Sequence, residues 1–372
     1  MAAFDVVVVG LGAMGSAAIY HLARRKVRVL GVERFEPGHE YGSSHGQTRI
    51  IRLGYFEHPS YVPLLRRAYQ LWRELEAESA QRILHTTGII EIGPPDGTVV
   101  AGTLAASRMH GLPHEVLAAA EVMRRFPAFR LPADHVAVLQ NDGGYLAAET
   151  VMQAHLELAR DAGAQVRTQE TALTIAPHAS GVRITTDGAV IEAGAAVVSV
   201  GPWTKKLLPD LPVPLRVTRQ VMAWFAPRTP TQFSRFPVFL LESRHGIHYG
   251  FPLLENGMKV AKHYHRDETV QPDACNRTVS RDDEAVIRDA LAEHLPDANG
   301  ALLAAKTCLY TMTPDGDFVI DRLPDCPNIW LASPCSGHGF KFAGVVGEIL
   351  ADLATTGTTA HDISRFRLNR FG

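Results

Sequence analysis

Asp5-Val-Val-Val-Val-Gly10-Leu-Gly12-Ala-Met-Gly15 opens the chain with an unbroken β-branched run followed by glycines spaced G-x-G-x-x-G. Four valines without polar alternation have the pattern of a parallel strand covered on both faces. Gly10 permits a tight turn, Gly12 lets the backbone approach a pyrophosphate, and Gly15 allows a helix to pack closely on the strand. Helix-forming residues continue to about Arg25, and a second apolar run, Val27 to Val32, ends at Glu33, 18 residues beyond Gly15. That completes a βαβ unit, with the acid near the place where such units hold an adenosine ribose through its hydroxyls. The helix N-terminus adds partial positive charge for phosphate. Dinucleotide binding is the expectation; the acid disfavours NADP and leaves NAD and FAD open.

Outward from this unit, Leu64, Leu65, Ala68, Leu71, Trp72 and Leu75 recur at helical spacing between Ser60 and Glu76, with Ser60 expected as the cap. This helix is read as core packing. Thr86 to about Tyr145 breaks into short strands and helices, and Glu149 to Ala162 reads as a helix ending at Gly163. Val182 to Thr186 and Ala195 to Val200 read as strands. Gln220 to Phe225, Val238 to Leu241 and Ile247 to Phe251 suit an antiparallel sheet, and Asp282 to His294 a helix. Near the C-terminus, strands Phe318 to Asp321 and Ile329 to Ala332 precede a turn through Ser336-Gly-His-Gly339 and a closing helix.

The expected fold class is therefore α/β, α+β overall: a Rossmann-type dinucleotide-binding domain, for NAD or FAD, with a second substrate domain on an antiparallel mixed sheet. Residues 1–84, 146–215 and 305–372 are assigned to the nucleotide domain and 85–145 and 216–304 to the substrate domain. A length of 372 residues, at about 150 per domain, agrees with two.

Composition narrows the function classes. Apolar residues make up 46% and charged residues 20%, as in an ordinary globular chain. Lys and Arg total 37 against 39 Asp and Glu, which argues against nucleic acid and anionic membranes as partners. Cys275, Cys308, Cys326 and Cys335 form no CxxC pair, so no zinc ribbon or redox dithiol is expected. Free thiols and no secretory or transmembrane run suggest a cytoplasmic protein. His263 and His265 on a strand would face the same way, but no third ligand is evident and no metal site is expected.

Four further segments carry a combination: Gly42-Ser-Ser-His-Gly-Gln-Thr-Arg-Ile-Ile-Arg52, Tyr249-Gly-Phe-Pro252 with Lys259, Cys308-Leu-Tyr-Thr-Met-Thr-Pro-Asp315, and Ser336-Gly-His-Gly-Phe-Lys341. With the N-terminal glycines they resemble the monomeric sarcosine oxidase family of flavoenzymes, which includes N-methyltryptophan oxidase. The resemblance runs to the closing Asp362-Ile-Ser-Arg-Phe stretch. It implies FAD attached covalently to Cys308 as an 8α-S-cysteinyl thioether; a thiolate is a good nucleophile, and the flavin's 8-methyl carbon becomes electrophilic on tautomerisation. The other three cysteines are read as small buried hydrophobes.

The same resemblance assigns Arg52 and Lys341 to a substrate carboxylate, the first as a bidentate fork and the second as a point charge. Tyr249 and Tyr310 match pocket tyrosines, and His263 a histidine beside the substrate amine. Arg49 matches an arginine over the flavin face, with Thr48 and His45 nearby. Lys259 matches a lysine that a water links to the flavin's reactive edge, where a fixed cation stabilises superoxide as it forms. Glu33, Arg34, Ser43, Ala172, Gly337, His338 and Gly339 complete the expected cofactor contacts with Gly10, Gly12 and Gly15. The helix after Ser336 would point its positive N-terminus at the flavin's pyrimidine end, favouring the anionic reduced form.

Two departures stand out. Ser44 and Gln47 occupy places where the family usually has a histidine and an aspartate, and Leu53-Gly54-Tyr55 follows Arg52 where His-Ala-Tyr is usual. The implied activity is oxidative demethylation of a small secondary amino acid, sarcosine first, with dioxygen as acceptor and a monomer as the working unit. N-methyltryptophan, L-proline or pipecolate as substrate, a dehydrogenase using a quinone or protein acceptor, and a non-catalytic nucleotide-binding sensor are the alternatives.

Overall fold

A computed structural model describes residues 4–179, 181–333 and 336–372. In chain order the first elements are β1 (Phe4–Val9), α1 (Ala13–Arg24), β2 (Val29–Val32), β3 (Thr48–Ile51), α2 (Val62–Ser79), β4 (Leu84–Thr86) and β5 (Ile89–Gly93). They are followed by α3 (Thr98–His110), β6 (Glu115–Ala118), α4 (Ala119–Arg125), β7 (Val136–Gln140), β8 (Gly144–Ala147), α5 (Ala148–Asp161), β9 (Gln165–Arg167), β10 (Ala172–His178), β11 (Gly181–Thr186) and β12 (Val190–Val198). The chain continues through α6 (Thr204–Leu207), β13 (Arg216–Ala226), β14 (Val238–Ser243), β15 (Gly246–Leu254), β16 (Gly257–Lys262) and α7 (Arg281–His294). It closes with β17 (Ala301–Met312), β18 (Val319–Leu323), β19 (Cys326–Ser333) and α8 (Ala343–Thr356).

The valine run behaves as its apolarity requires. β1 sits between β2 and β12, parallel to both, with Val6 to Val9 buried. β12 also pairs in parallel with β19, and β2 with β9, so the first and last strands of the chain meet in one sheet. α1 packs between α5 and α8 on one face of this sheet. Gly15 makes that closeness possible, since a Cβ there would lie 1.8 Å from the Gly10 carbonyl oxygen. Each Val or Leu side chain buried in these layers stabilises by about 1.5–3 kcal/mol.

A second sheet of eight strands runs β17-β13-β16-β15-β14-β5-β7-β6, antiparallel except where β14 pairs with β5. Its core is aromatic, built on Phe129, Phe225, Phe233, Phe236 and Phe239. A small sheet, β3-β8-β4, stands apart from both. The mixed α/β architecture is the expected one. Among the described residues no helix is long and apolar enough to cross a membrane.

Some local expectations need correction. Ser60 does not cap α2: Pro59 starts a short 3-10 turn (Pro59–Tyr61) whose N-cap is His58, Nδ1 accepting from the Ser60 N–H at 3.2 Å. α2 starts only after that turn. His263 and His265 are not on a strand. They follow β16 in a turn where Tyr264 takes φ +58°, which sends the two rings to different partners. Cys275 and Cys326 are half-exposed rather than buried, because one follows a surface turn and the other starts the hairpin return into β19. Cys335 lies outside the described residues.

Candidate active site

A single continuous cavity runs from the β1–α1 turn to the ends of β15 and β17. At one end its wall is Gly10, Leu11, Gly12, Glu33 and Arg34. Gly10 has φ +86°, and a Cβ on it would meet the Ser199 carbonyl oxygen at 2.8 Å, so only glycine makes this turn. α1 starts at Gly12 with no side-chain cap from that residue; Ser44 Oγ accepts from the Ala13 N–H at 3.2 Å, from across the cavity. Glu33 Oε2 accepts from the Leu11 N–H at 2.7 Å and Oε1 from the Phe35 N–H at 3.1 Å. Burial raises the Glu33 carboxyl above its usual range, against the pull of these backbone donors. Arg34 pairs with Asp273 at 2.6 Å, and Ala172 lines the same end.

The middle of the cavity is bounded by Ser43, Arg49 and Cys308. β3 presents Arg49, whose guanidinium donates to three carbonyls: Thr48 at 2.9 Å, Ser43 at 2.8 Å, and His45. Ser43 Oγ donates to the Leu309 carbonyl at 2.5 Å, tying this loop to β17. Cys308 Sγ lies 3.7 Å from the Ser43 carbonyl oxygen. Burial pushes its thiol up, with Arg49 and Lys259 pulling the other way, so the protein holds it as a thiol rather than a ready thiolate.

Lys259 and His45 are not on the cavity wall, nor are Thr48 and Gly15. Lys259 lies behind the loop, buried, with Nζ donating to the Gly46 carbonyl at 2.7 Å and the Thr48 carbonyl at 2.6 Å. Burial and the neighbouring Arg49 push its ammonium well below the usual lysine range. His45 is buried with neither ring nitrogen hydrogen-bonded, and burial lowers it to about 3. Gln47, at φ +69°, accepts from Trp224 Nε1 at 3.0 Å, which ties the departing residue to β13.

The far end is charged and aromatic. Arg52 and Lys341 both line it, and both lie against the Tyr55 ring, Arg52 Cζ at 4.5 Å and Lys341 Nζ at 5.1 Å from its centroid. Lys341 sits in the 3-10 turn Phe340–Phe342 that leads into α8, two residues before the helix, and Nζ donates to the His338 carbonyl at 2.8 Å. Burial, then Arg52, lowers its ammonium to about 7. Gly337, at φ +82°, lets the loop lie flat on Tyr310, whose ring a Cβ would meet at 2.2 Å. His263 Nδ1 lies 3.4 Å from the Tyr310 hydroxyl, and burial lowers the imidazole to about 3, so it is neutral. Tyr249 lines the adjoining wall, and His338 Nδ1 meets the Tyr55 hydroxyl at 2.6 Å. His265 turns away to Asp283, at 3.1 Å.

Sequence reasoning missed two carboxylates here. Glu57 accepts from Arg52 Nη2 at 2.8 and 3.0 Å, and Glu91 Oε1 lies 3.2 Å from Arg52 Nε. Burial alone would raise Glu57, but Arg52, His338 and Lys341 outweigh it and hold the carboxyl at about 2. Glu91 did leave a signal: it is the one charge in Ile89-Ile-Glu-Ile92, a strand otherwise apolar enough to be buried on both faces.

These residues fit an FAD. One end offers a glycine turn too tight for a Cβ at Gly10, a helix start without a cap from Gly12 itself, and a carboxylate just after β2. The middle offers a cavity-facing thiol and a guanidinium. The description "FAD dependent oxidoreductase" (DAO) belongs to the family that matches residues 5–353. A monomeric sarcosine oxidase from Streptomyces avermitilis is 43% identical over 371 residues, 98% of this chain and 96% of that protein. An N-methyl-L-tryptophan oxidase from Yersinia pestis is 34% identical over 372 residues, 99% of each chain. Among solved structures, NikD, described as an unusual amino acid oxidase essential for nikkomycin biosynthesis, superposes with a TM-score of 0.87 at 30% identity. That match covers 98% of this chain and 97% of NikD.

Proposed function

This chain belongs to the FAD-dependent oxidoreductase family, and from that membership we propose that it oxidatively demethylates sarcosine. The products are glycine, formaldehyde and hydrogen peroxide, with dioxygen and water consumed. The observation that carries this reading is the pair of buried cations, Arg52 and Lys341, on one tyrosine ring at the amino-acid end of the cavity. A small carboxylate is the ligand such a pair selects. When bound, FAD supplies the two-electron oxidant for the CH–NH bond.

The residues then divide the work. Arg52 and Lys341 hold the carboxylate and so aim the N-methyl group along the cavity. His263 stays neutral and accepts a hydrogen bond from the amine, while the adjacent cations disfavour the protonated amine. Tyr249 and Tyr310 exclude water. Lys259 Nζ, on the other side of the Gly46–Thr48 loop and donating to the Gly46 and Thr48 carbonyls, serves the reaction with dioxygen. Cys308, on the cavity wall, would be the attachment point for the flavin, with Arg49 and Lys259 the nearby groups that favour its thiolate. Residues 1–84, 146–215 and 305–372 carry the cofactor in this reading, 85–145 and 216–304 cover the substrate, and the chain works as a monomer.

An oxygen-electrode assay with peroxide detection, run on sarcosine, N-methyltryptophan, L-proline and pipecolate, tests the activity. Sarcosine is expected to give the highest kcat/KM. Flavin bleaching by substrate without oxygen uptake would replace the oxidase with a dehydrogenase. Acid precipitation should leave the yellow colour in the pellet, and Cys308→Ser should release it to the supernatant. Colour still pelleted in that variant would move the attachment elsewhere.

A further inference from the structure

Arg52 carries more negative charge than a carboxylate-binding arginine needs. Glu57 occupies the Nη2 edge of its guanidinium from the cavity side, and Glu91 faces Nε from within β5, fully buried. With Lys341, two cations and two carboxylates share one enclosed volume. When all four are ionised the cluster is neutral before any ligand arrives. Adding a substrate carboxylate would then leave an uncompensated negative charge out of water, which proteins avoid by changing protonation.

We propose that Glu91 takes up one proton when a carboxylate ligand binds Arg52 and Lys341, making Glu91 a positioning and charge-balancing residue for substrate recognition. This rests on the amine-oxidase reading, which supplies the carboxylate. The two acids on Arg52 are not equivalent. Glu57 accepts two hydrogen bonds from one nitrogen, whereas neither Glu91 oxygen nor Arg52 Nε forms a well-shaped hydrogen bond. The hydroxyl beside Glu91 is that of Thr103, which acts on its carboxyl as a hydrogen-bond partner. A protonated carboxyl can donate to a hydroxyl in that polar nook, and an ionised one can only accept.

The groups facing Glu91 support the assignment. β14 and β7 put Leu240 and Val138 beside it in register, and α3 presents Thr103, all uncharged. Glu242, one pleat along on β14, is occupied by the Thr98 and Val99 N–H groups. The charges acting on Glu91 are Arg52, Lys341 and Glu57, with Tyr55 and His338 beyond them. Burial raises Glu91 to about 7 even against Arg52, whereas Glu57 is held at about 2. The sign follows. Above about pH 7 the free protein has lost the Glu91 proton and must regain it on binding, so affinity falls as pH rises, about tenfold per unit; Lys341, lowered to about 7, titrates in the same window and is the competing acceptor that the test separates. Below that pH the dependence flattens.

The test titrates oxidised holoenzyme with acetate and with propionate between pH 6 and 9. Flavin absorbance reads Kd, and calorimetry in two buffers of different ionisation heat reads protons taken up. The expected result is close to one proton per ligand at pH 8 and a Kd weakening about tenfold per pH unit. Glu91→Gln should give a flat Kd and little uptake, and Glu91→Asp should restore the slope. Uptake unchanged in Glu91→Gln, or absent in the wild type, overturns the proposal alone. Failure of either acid to bind at any pH overturns the carboxylate dock and the proposal with it. Should Glu91→Gln not fold, Lys341→Arg, whose charge cannot titrate in this range, decides: uptake retained supports Glu91, and uptake lost assigns the proton to Lys341.

Discussion

The two ends of the cavity are made of different material. The adenosine end is built mainly on one stretch, β1 to Arg34, joined by Ala172, and that stretch presents mostly backbone: Gly10, Leu11 and Gly12, with Glu33 held by a Leu11 N–H. The amino-acid end draws Arg52, Glu57, His263, Tyr310 and Lys341 from four separate places in the chain, with Glu91 buried behind Arg52, and its wall is charge and ring. A backbone-built site depends on local conformation and spacing. A side-chain-built site depends on which distant residues the sheets bring together, and one changed residue alters its net charge. The first end therefore reads as generic to a nucleotide fold, and the second as the place where this protein's selectivity resides.

The largest effect is expected at Arg52. Arg52→Met removes the carboxylate fork and leaves Glu57 and Glu91 without their shared cation, so kcat/KM for sarcosine should fall by about 10³-fold or more. Flavin content should be unchanged; a parallel loss of flavin would mean that the two ends are not independent. Lys259→Met comes next. Removing one fixed cation needed as negative charge develops on dioxygen should slow reoxidation by about 10²–10³-fold. Reduction by substrate should change far less, although the Gly46 and Thr48 carbonyls lose their donor. Stopped-flow measurement of both half-reactions decides it, and equal losses would take the oxygen role from Lys259.

The smallest effect is expected at the adenosine end. Glu33→Gln keeps an oxygen for the Leu11 N–H and gives up one charge, so FAD affinity should weaken about tenfold. The measurement belongs in a Cys308→Ser background, by equilibrium dialysis, with kcat/KM at saturating FAD unaltered. A large drop in kcat/KM there would show that the cofactor end also positions the chemistry, and would erase the distinction between the two ends.

How much could be read in the linear chain follows the same division. The Val6 to Val9 run, the glycine spacing and Glu33 lie within one βαβ unit, where local sterics leave few conformations, and β1, α1 and β2 formed there. In the structure the first and last strands lie in one sheet, linked through β12. Ser60 was misplaced as a cap because proline chemistry at Pro59 and Pro63 shaped the approach to α2 before capping preference acted. The His263 and His265 rings were given one face because alternation assumes a continuing strand, and Tyr264 in the left-handed region ends it.

The sequence by itself determined the nucleotide-binding unit, the family motifs and the identity of the cations, because each depends on residues close together or on spacing that backbone geometry restricts. Only the tertiary structure decided that Lys259 stands behind the Gly46–Thr48 loop rather than on the cavity wall. It alone also brought Glu57 and Glu91 onto one guanidinium. Burial is a property of the assembled sheets: the charge balance around Arg52 arises when β5, β3 and the turn before α8 exclude water from the same small volume, and no local pattern encodes that meeting.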